Sequence, residues 1–228
     1  MQNKYYVLSL GGSLIVSKEG IDYKFLKKFR ALIIKQIKQG KKFIIITGGG
    51  VTCRNYIQAA DRVIKISNED KDWLGIHSTR LNAHLLRTIL FDIAHPEIIT
   101  NPNHNIKTKS PVIIGAGWKP GWSTDYDAVI LAKNYNAKTV INLSNIDYAY
   151  NKDPKKYKDA VKIKETNWPD FRKIVGNKWI PGLNMPFDPI ASKLAEELKL
   201  KVVIMNGKKL KNLEKCLDNK KCMGTVIE

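Results

Sequence analysis

Near the start of the chain two short apolar runs, Val7 to Leu10 and Phe43 to Thr47, each end directly in glycines, Gly11-Gly12 after the first and Gly48-Gly49-Gly50 after the second. Runs this short and this rich in Val, Ile and Phe read as buried strands. Between them Phe25, Phe29, Leu32, Ile33 and Ile37 recur at helical spacing, which completes a strand, helix, strand unit. A crossover helix of this length joins parallel strands with the right hand, so both glycine turns emerge at one edge of the sheet, where open α/β sheets bind ligands. Pro111 to Ile114 reads as a further strand and runs into Gly115-Ala116-Gly117-Trp118-Lys119-Pro120-Gly121-Trp122-Ser123-Thr124-Asp125, a third glycine-bearing turn.

The rest of the chain keeps alternating. Helices are expected from about Thr52 to Val63 and from Trp73 to Ile93, the latter with Leu74, Leu81, Leu85, Leu86 and Ile89 inward and Pro96 closing the region. Ile98-Ile99 reads as a strand, Asp127 to Tyr135 as a helix, Thr139 to Leu143 as a strand and Asn151 to Pro154 as a turn, before an irregular basic stretch to about Trp179. Asp188 is placed to cap a helix ending at Leu198, with Pro189 at its first position; Lys201 to Met205 is a strand and Leu210 to Leu217 a helix. The pattern predicts an α/β fold, a three-layer α/β/α sandwich on a mainly parallel open sheet. With no repeat or linker, residues 1–228 form one domain, divisible near residue 125 into an N-terminal and a C-terminal lobe.

A formal charge of +18 would draw nucleotides, nucleic acid or anionic surfaces alike. The lysines are scattered rather than blocked, which favours a solvated surface over nucleic-acid binding. No window approaches the roughly 18 apolar residues of a membrane span, and Met1 to Leu8 does not read as a signal peptide. Cys53, Cys216 and Cys222 are odd in number and include no C-x-x-C pair, so they support neither a disulfide framework nor a zinc site. The expected location is the cytoplasm.

Glycine lets the backbone approach a phosphate and aim N–H groups at it, and a following helix adds its positive end. Gly11-Gly12-Ser13 fits that use, though a glycine pair after a strand is also an ordinary tight turn. Three consecutive glycines cost backbone entropy that chain reversal does not require, and close approach to a ligand would explain Gly48-Gly49-Gly50. Arg54, one helical turn on, either forks a phosphate or is a surface arginine. In the third turn Lys119, Ser123, Thr124 and Asp125 suit a second phosphate-bearing molecule, while Trp118 and Trp122 serve either stacking or packing. Neither of the first two turns matches the G-x-x-x-x-G-K-[ST] phosphate loop.

The order of these motifs resembles the amino-acid-kinase superfamily and, within it, the UMP kinases of archaeal type. The resemblance rests on Leu10-Gly11-Gly12-Ser13, Thr47-Gly48-Gly49-Gly50 with Arg54, Asp72-Trp73-Leu74-Gly75-Ile76 with Thr79-Arg80-Leu81-Asn82-Ala83, the Gly115 to Asp125 loop, Ser144-Asn145-Ile146-Asp147 with Asp153-Pro154, Asp188-Pro189, and Gly224-Thr225-Val226-Ile227. It implies transfer of the ATP γ-phosphoryl group to UMP, with magnesium carried by ATP and no metal site on the chain. By that resemblance Gly11, Gly12, Ser13, Gly50 and Arg54 surround the transferring phosphates, and Ser144, Tyr150 and Asp153 hold the adenosine, with Asn206 nearby. UMP falls to Gly49, Asp72, Arg80, Trp118, Lys119, Pro120, Gly121, Trp122, Ser123 and Thr124. Asp188 and Arg54 take the catalytic roles, although Asp188 is equally a helix cap. A homo-oligomer, a hexamer in the family, is implied, with Trp73, Leu74 and Ile76 as an apolar candidate for contact.

Two positions depart from the family pattern. The lysine that many relatives carry two residues before the first glycine pair is here Ser9, so another cation such as Arg54 or Lys119 must compensate. The usual Asn-Val-Asp-Gly-Val-Tyr is Asn145-Ile146-Asp147-Tyr148-Ala149-Tyr150, where a left-handed turn at Tyr148 would be strained. Sister kinases of small acids and a degenerate nucleotide binder are the alternatives. An isopentenyl phosphate kinase would carry a histidine after the glycine triplet, and none stands between Gly50 and Asp70.

Overall fold

In the computed structural model, which describes residues 5–154, 156–178 and 185–228, strand β1 (Tyr5–Leu10) leads into a short helix α1 (Gly12–Ile15). A small ribbon of β2 (Val16–Ser17) and β3 (Gly20–Ile21) follows, then α2 (Tyr23–Ile37) and β4 (Lys42–Thr47). β1 and β4 pair in parallel with Leu10 beside Thr47, so both glycine turns leave the sheet at the same edge, as the crossover predicts. Helices α3 (Gly50–Val63) and α4 (Asn68–Ile89), strands β5 (Ala94–Ile99) and β6 (Val112–Gly115), and helix α5 (Thr124–Asn134) complete the first part. The remainder is β7 (Thr139–Ser144), β8 (Ala149–Tyr150), β9 (Lys162–Ile163), β10 (Glu165–Thr166), α6 (Trp168–Val175), α7 (Pro189–Glu197), β11 (Lys201–Asn206), α8 (Leu210–Leu217) and β12 (Thr225–Ile227). Met1 to Lys4 and Trp179 lie outside the described residues.

The main sheet runs β10-β12-β11-β7-β1-β4-β6-β5, parallel throughout except where β12 turns back against β11. Alternate residues of each strand go to opposite faces. Leu8, Phe43, Ile45 and Ile141 pack with Phe29 of α2, Leu86 of α4 and Leu213 of α8; Val7, Ile44, Ile46 and Val140 pack with Val129 of α5, Phe171 of α6 and Ala191 of α7. The result is the expected α/β/α sandwich. From β1 the chain lays β4, β6 and β5 to one side and β7, β11, β12 and β10 to the other, so the strand order reverses at β1. Gly11 and Gly12 leave the sheet at that switch point, the usual crevice for a ligand.

Four local expectations need correction. Helix α4 begins five residues before Trp73, at Asn68, because Ser67 accepts from the Asp70 N–H, and it ends at Ile89. Leu85, Leu86 and Ile89 pack on the core as expected, joined by Ile76, Thr79, Asn82 and Ala83, whereas Leu81 is 63% exposed; polar side chains face in because they meet backbone, as described below. Pro96 does not close the region but sits in β5, an edge strand whose register shifts between Ala94 and Ile98, where a missing N–H costs little. The basic stretch contains helix α6, capped by Asn167, with Pro169 in its first turn and Gly176 at φ +77° after its end, all ordinary helix signals. Tyr148 is not among the residues with positive φ, so its side chain is accommodated without a left-handed backbone.

Candidate active site at the glycine turns

The first two glycine turns are packed backbone against backbone. A β-carbon added at Gly12 would lie 2.0 Å from the Gly50 nitrogen, one at Gly48 would lie 2.6 Å from the Gly12 nitrogen, and Gly50 has φ +69°. The triplet is therefore demanded by the neighbouring turn, which corrects the idea that ligand approach alone explains it. The Gly11 N–H donates to Leu143 O and the Gly48 N–H to Leu10 O, both at 2.9 Å. Gly11 thus ties the turn to β7 rather than offering its amide to a phosphate. Ser13 follows in α1, half-buried. From the other side Asn82 Nδ2 donates to Gly48 O at 2.7 Å and Gly49 O at 3.3 Å, while Thr47 Oγ1 donates to Thr79 O.

The third loop is strapped to α4 in the same way. The Gly117 N–H donates to Thr79 Oγ1 at 2.8 Å, the Gly121 N–H donates to Asp72 Oδ2 at 2.7 Å, and Arg80 donates to Trp118 O and, more distantly, Gly117 O. Arg80 is thus held against the carbonyls of the loop to which the nucleotide contacts are assigned. Trp122 stacks on Tyr126 with ring centroids 4.1 Å apart and on Trp118 at 6.2 Å, and Lys119 Nζ lies 4.2 Å from the Trp118 ring centroid. Pro120 and Gly121 form the turn at the tip, with Gly121 at φ +85°. Ser123 caps α5, accepting from the Tyr126 N–H, and so sets Thr124 at the helix start.

Between the second turn, α3, α4 and the third loop lies a cavity of about 260 Å³. It gathers Gly49, Arg54, Asp72, Trp122, Ser123 and Thr124 of the expected residues, and adds Lys71 as a second cation, ion-paired to Asp61 at 3.0 Å. Trp118, Lys119, Pro120, Gly121 and Arg80 are not part of its lining. Across β1 from β4, the assigned ATP-side residues follow the end of β7: Ser144 O accepts from the Gly207 N–H, Tyr150 lies in β8, and Asp153 O accepts from the Lys156 and Tyr157 N–H groups. Asn206 ends the adjacent β11. Gly11, Gly12, Ser13 and Gly50 stand between these residues and the cavity.

Beneath the first turn sit three carboxyls. Asp125 Oδ1 accepts from Ser9 Oγ at 2.9 Å and Asn142 Nδ2 at 2.8 Å, and burial with Asp188 nearby pushes it up to about 7. Asp188, buried at the start of α7, caps it by accepting from the Ala191 N–H at 2.6 Å; burial raises it too, and its Oδ2 has no hydrogen-bond partner among the described residues. Asp127 accepts from the Trp118 N–H at 3.2 Å and is pushed by burial up to about 8. Buried carboxyls held by neutral donors keep their protons toward neutrality, which limits negative charge under the turns. Among the described residues no cluster of three His, Cys, Asp or Glu side chains is arranged to hold a metal ion.

The model of the amino acid kinase family matches residues 4–206. The chain belongs to that family. Among amino acid kinases it is 34% identical to the uridylate kinase of Methanocaldococcus jannaschii, over 97% of this chain and 98% of that protein. It is 35% identical to the uridylate kinase of Methanosarcina barkeri, over 93% and 91%. The crystal structure of uridylate kinase from Archaeoglobus fulgidus superposes with a TM-score of 0.82 at 30% identity, covering 98% of this chain and 99% of that one. The UMP kinase of Bacillus anthracis, at 20% identity and a TM-score of 0.78, shares the fold.

Some features of this amino acid kinase site are not visible in the sequence. Thr79 and Asn82 belong to the motif that carries the resemblance, but their roles appear only with their backbone partners. Asn142 and Lys71 carried no motif, and Asp127 reads as a helix-start carboxylate. Ile76, expected at an oligomer contact, is 5% exposed and faces the interior.

Proposed function

We propose that this amino acid kinase is a UMP kinase, moving the γ-phosphoryl group of MgATP to UMP to give UDP and ADP. The observation that carries the reading is one cavity that puts the Asp72 carboxylate, the Arg54 and Lys71 cations and the Ser123 and Thr124 hydroxyls against the second glycine turn. That combination suits a nucleoside monophosphate: a carboxylate accepts from ribose hydroxyls, and cations with hydroxyls hold a phosphate. Trp122, steadied by Tyr126, offers an aromatic wall for a base.

MgATP enters as substrate over residues 126–228, with Ser144, Tyr150 and Asp153 at the adenosine and Gly12, Ser13 and Gly50 at the phosphates; UMP lies over residues 1–125. Gly50 starts a helix of 14 residues, whose positive end favours the incoming charge. Transfer needs alignment and charge neutralisation rather than a covalent intermediate. Arg54, exposed at the cavity and one turn into α3, is the cation nearest in role to the lysine replaced by Ser9. Asp188 holds the start of α7 beside Asp125 and organises the transfer side. Helix α3 buries none of its residues, and with exposed Tyr56, Trp73 and Leu81 it supports a homo-oligomeric contact. No described helix is long and apolar enough to cross a membrane, and the proposed setting is the cytoplasm. Incubation with ATP labelled in its γ-phosphate tests the reading: label must appear in UDP when UMP is present, and its absence overturns it.

A further inference from the structure

Helix α8 ends in a turn that folds the chain back along the helix. Asn219 takes the left-handed conformation at φ +56°, the Lys220 N–H donates to Lys215 O at 2.8 Å, and the Asn219 N–H donates to Cys216 O at 3.1 Å. These are the paired bonds of a Schellman motif. The returning strand is then pinned by Asn212, one helical turn before Cys216 on the same face. Asn212 Nδ2 donates to Met223 O and the Met223 N–H donates to Asn212 Oδ1, both at 2.7 Å. With Met223 held opposite Asn212, its neighbour Cys222 is brought back beside Cys216, so the two thiols are neighbours on one side of the turn. Both are half-buried at the edge of the apolar layer formed with α2.

The geometry points to Cys216 and Cys222 as a thiol pair that closes to an intramolecular disulfide in response to a low-molecular-weight disulfide such as glutathione disulfide. Cys222 lies on the return segment beside Lys220 and Lys221, whose charges attract an anionic disulfide, so it attacks first. Its thiolate displaces one glutathione thiolate as the glutathione S–S bond breaks and a mixed disulfide forms. Cys216 then attacks the Cys222 sulfur and expels the second glutathione. The two protein thiols lose two protons and two electrons, and glutathione disulfide is reduced to two molecules of glutathione. Burial, and then the neighbouring Cys222, push the Cys216 thiol up to about 12; the contribution of Cys222 disappears once that sulfur is in the mixed disulfide. The reaction involves no residue of the proposed kinase site, and Cys53, in the cavity, is the internal control.

The test treats the folded, full-length protein with glutathione disulfide, alkylates remaining thiols and maps the product with trypsin. Lys215, Lys220 and Lys221 place the two cysteines on separate peptides, residues 216–220 and 222–228, so closure is read as a disulfide-linked pair. The expected result is that linked pair as the main product, with the intact protein lighter by two hydrogens after Cys53 is accounted for, and reversal by dithiothreitol. In Cys216→Ser the product should instead stop as glutathione held on Cys222. Recovery of both peptides alkylated, or of stable glutathione on Cys222 in the unsubstituted protein with Cys216 alkylated, would overturn the proposal.

Discussion

Ser9 Oγ donates to Asp125 Oδ1 at 2.9 Å, at the position where many amino acid kinases carry a lysine. The carboxyl therefore receives hydroxyl and amide donors instead of a cation, and it titrates near 7 rather than in the ordinary carboxylate range. Ser9→Ala removes one of those donors. Its pH–rate profile should shift its midpoint upward by up to about one pH unit, with an otherwise intact fold. A downward shift would mean that Ser9 does not stabilise the ionised form.

Asp127 is the second raised carboxyl, at about 8. In the unfolded chain it ionises near 4, so between about pH 4 and 8 the folded protein binds a proton that the unfolded chain has released, and stability falls as pH rises through that window. Asp127→Asn keeps an oxygen for the Trp118 N–H and removes the ionisation. Urea unfolding should show the variant gaining on the order of 1–3 kcal/mol over the unsubstituted protein at about pH 8.5, and little at about pH 5. A constant difference across that range contradicts the assignment.

The contact of the first two glycine turns leaves no room for a side chain at Gly12. Gly12→Ala should cost about 3 kcal/mol or more and abolish turnover, since the backbone of Gly48 and Gly50 must move apart. Gly20, at φ +107° with open space around it, is the matched control: Gly20→Ala should cost about 1 kcal/mol and leave turnover intact. Equal Tm losses in the two variants would argue against the packing account.

Asp72 joins α4 to the third loop through Gly121 and lines the cavity. Asp72→Asn should raise KM for UMP about tenfold while leaving KM for ATP within about twofold. Arg80→Lys, which keeps charge but loses the fork that reaches two carbonyls, should act in the same direction. If both substrates weaken together, the division of the site is wrong.

Asp188→Asn separates capping from charge. An asparagine still accepts from the Ala191 N–H, so α7 should persist with little change in Tm. Turnover should fall at least about tenfold with both KM values near normal. Unchanged kcat would reduce Asp188 to a helix cap.

The sheet was legible because its evidence is local: apolar runs ending in glycine give parallel strands, and the crossover rule puts Gly11 and Gly48 at one edge. Leu10 and Thr47 do stand side by side there. The capping signals at Asp188-Pro189 are equally direct, and Asn167 and Gly176 carry signals of the same kind around α6. What the sequence could not disclose is contact between distant backbone and side chains. Thr79 and Asn82 interrupt an apolar stripe, and their meaning appears only when Gly117, Gly48 and Gly49 are beside them. The bonds from Arg80 to the carbonyls of Gly117 and Trp118 were hidden for the same reason. Asp125 needed β1, β7 and α7 together before its neutral surroundings could be seen.

The account stands most directly on an acceptor screen. Purified protein with MgATP is offered UMP, the other nucleoside monophosphates, carbamate and N-acylated amino acids, and ADP release is followed. The account predicts ADP formation that depends on UMP, with UDP as product and little or no turnover on the small acids. ADP release that ignores UMP, or that prefers a carbamate or acylated amino acid, would contradict it.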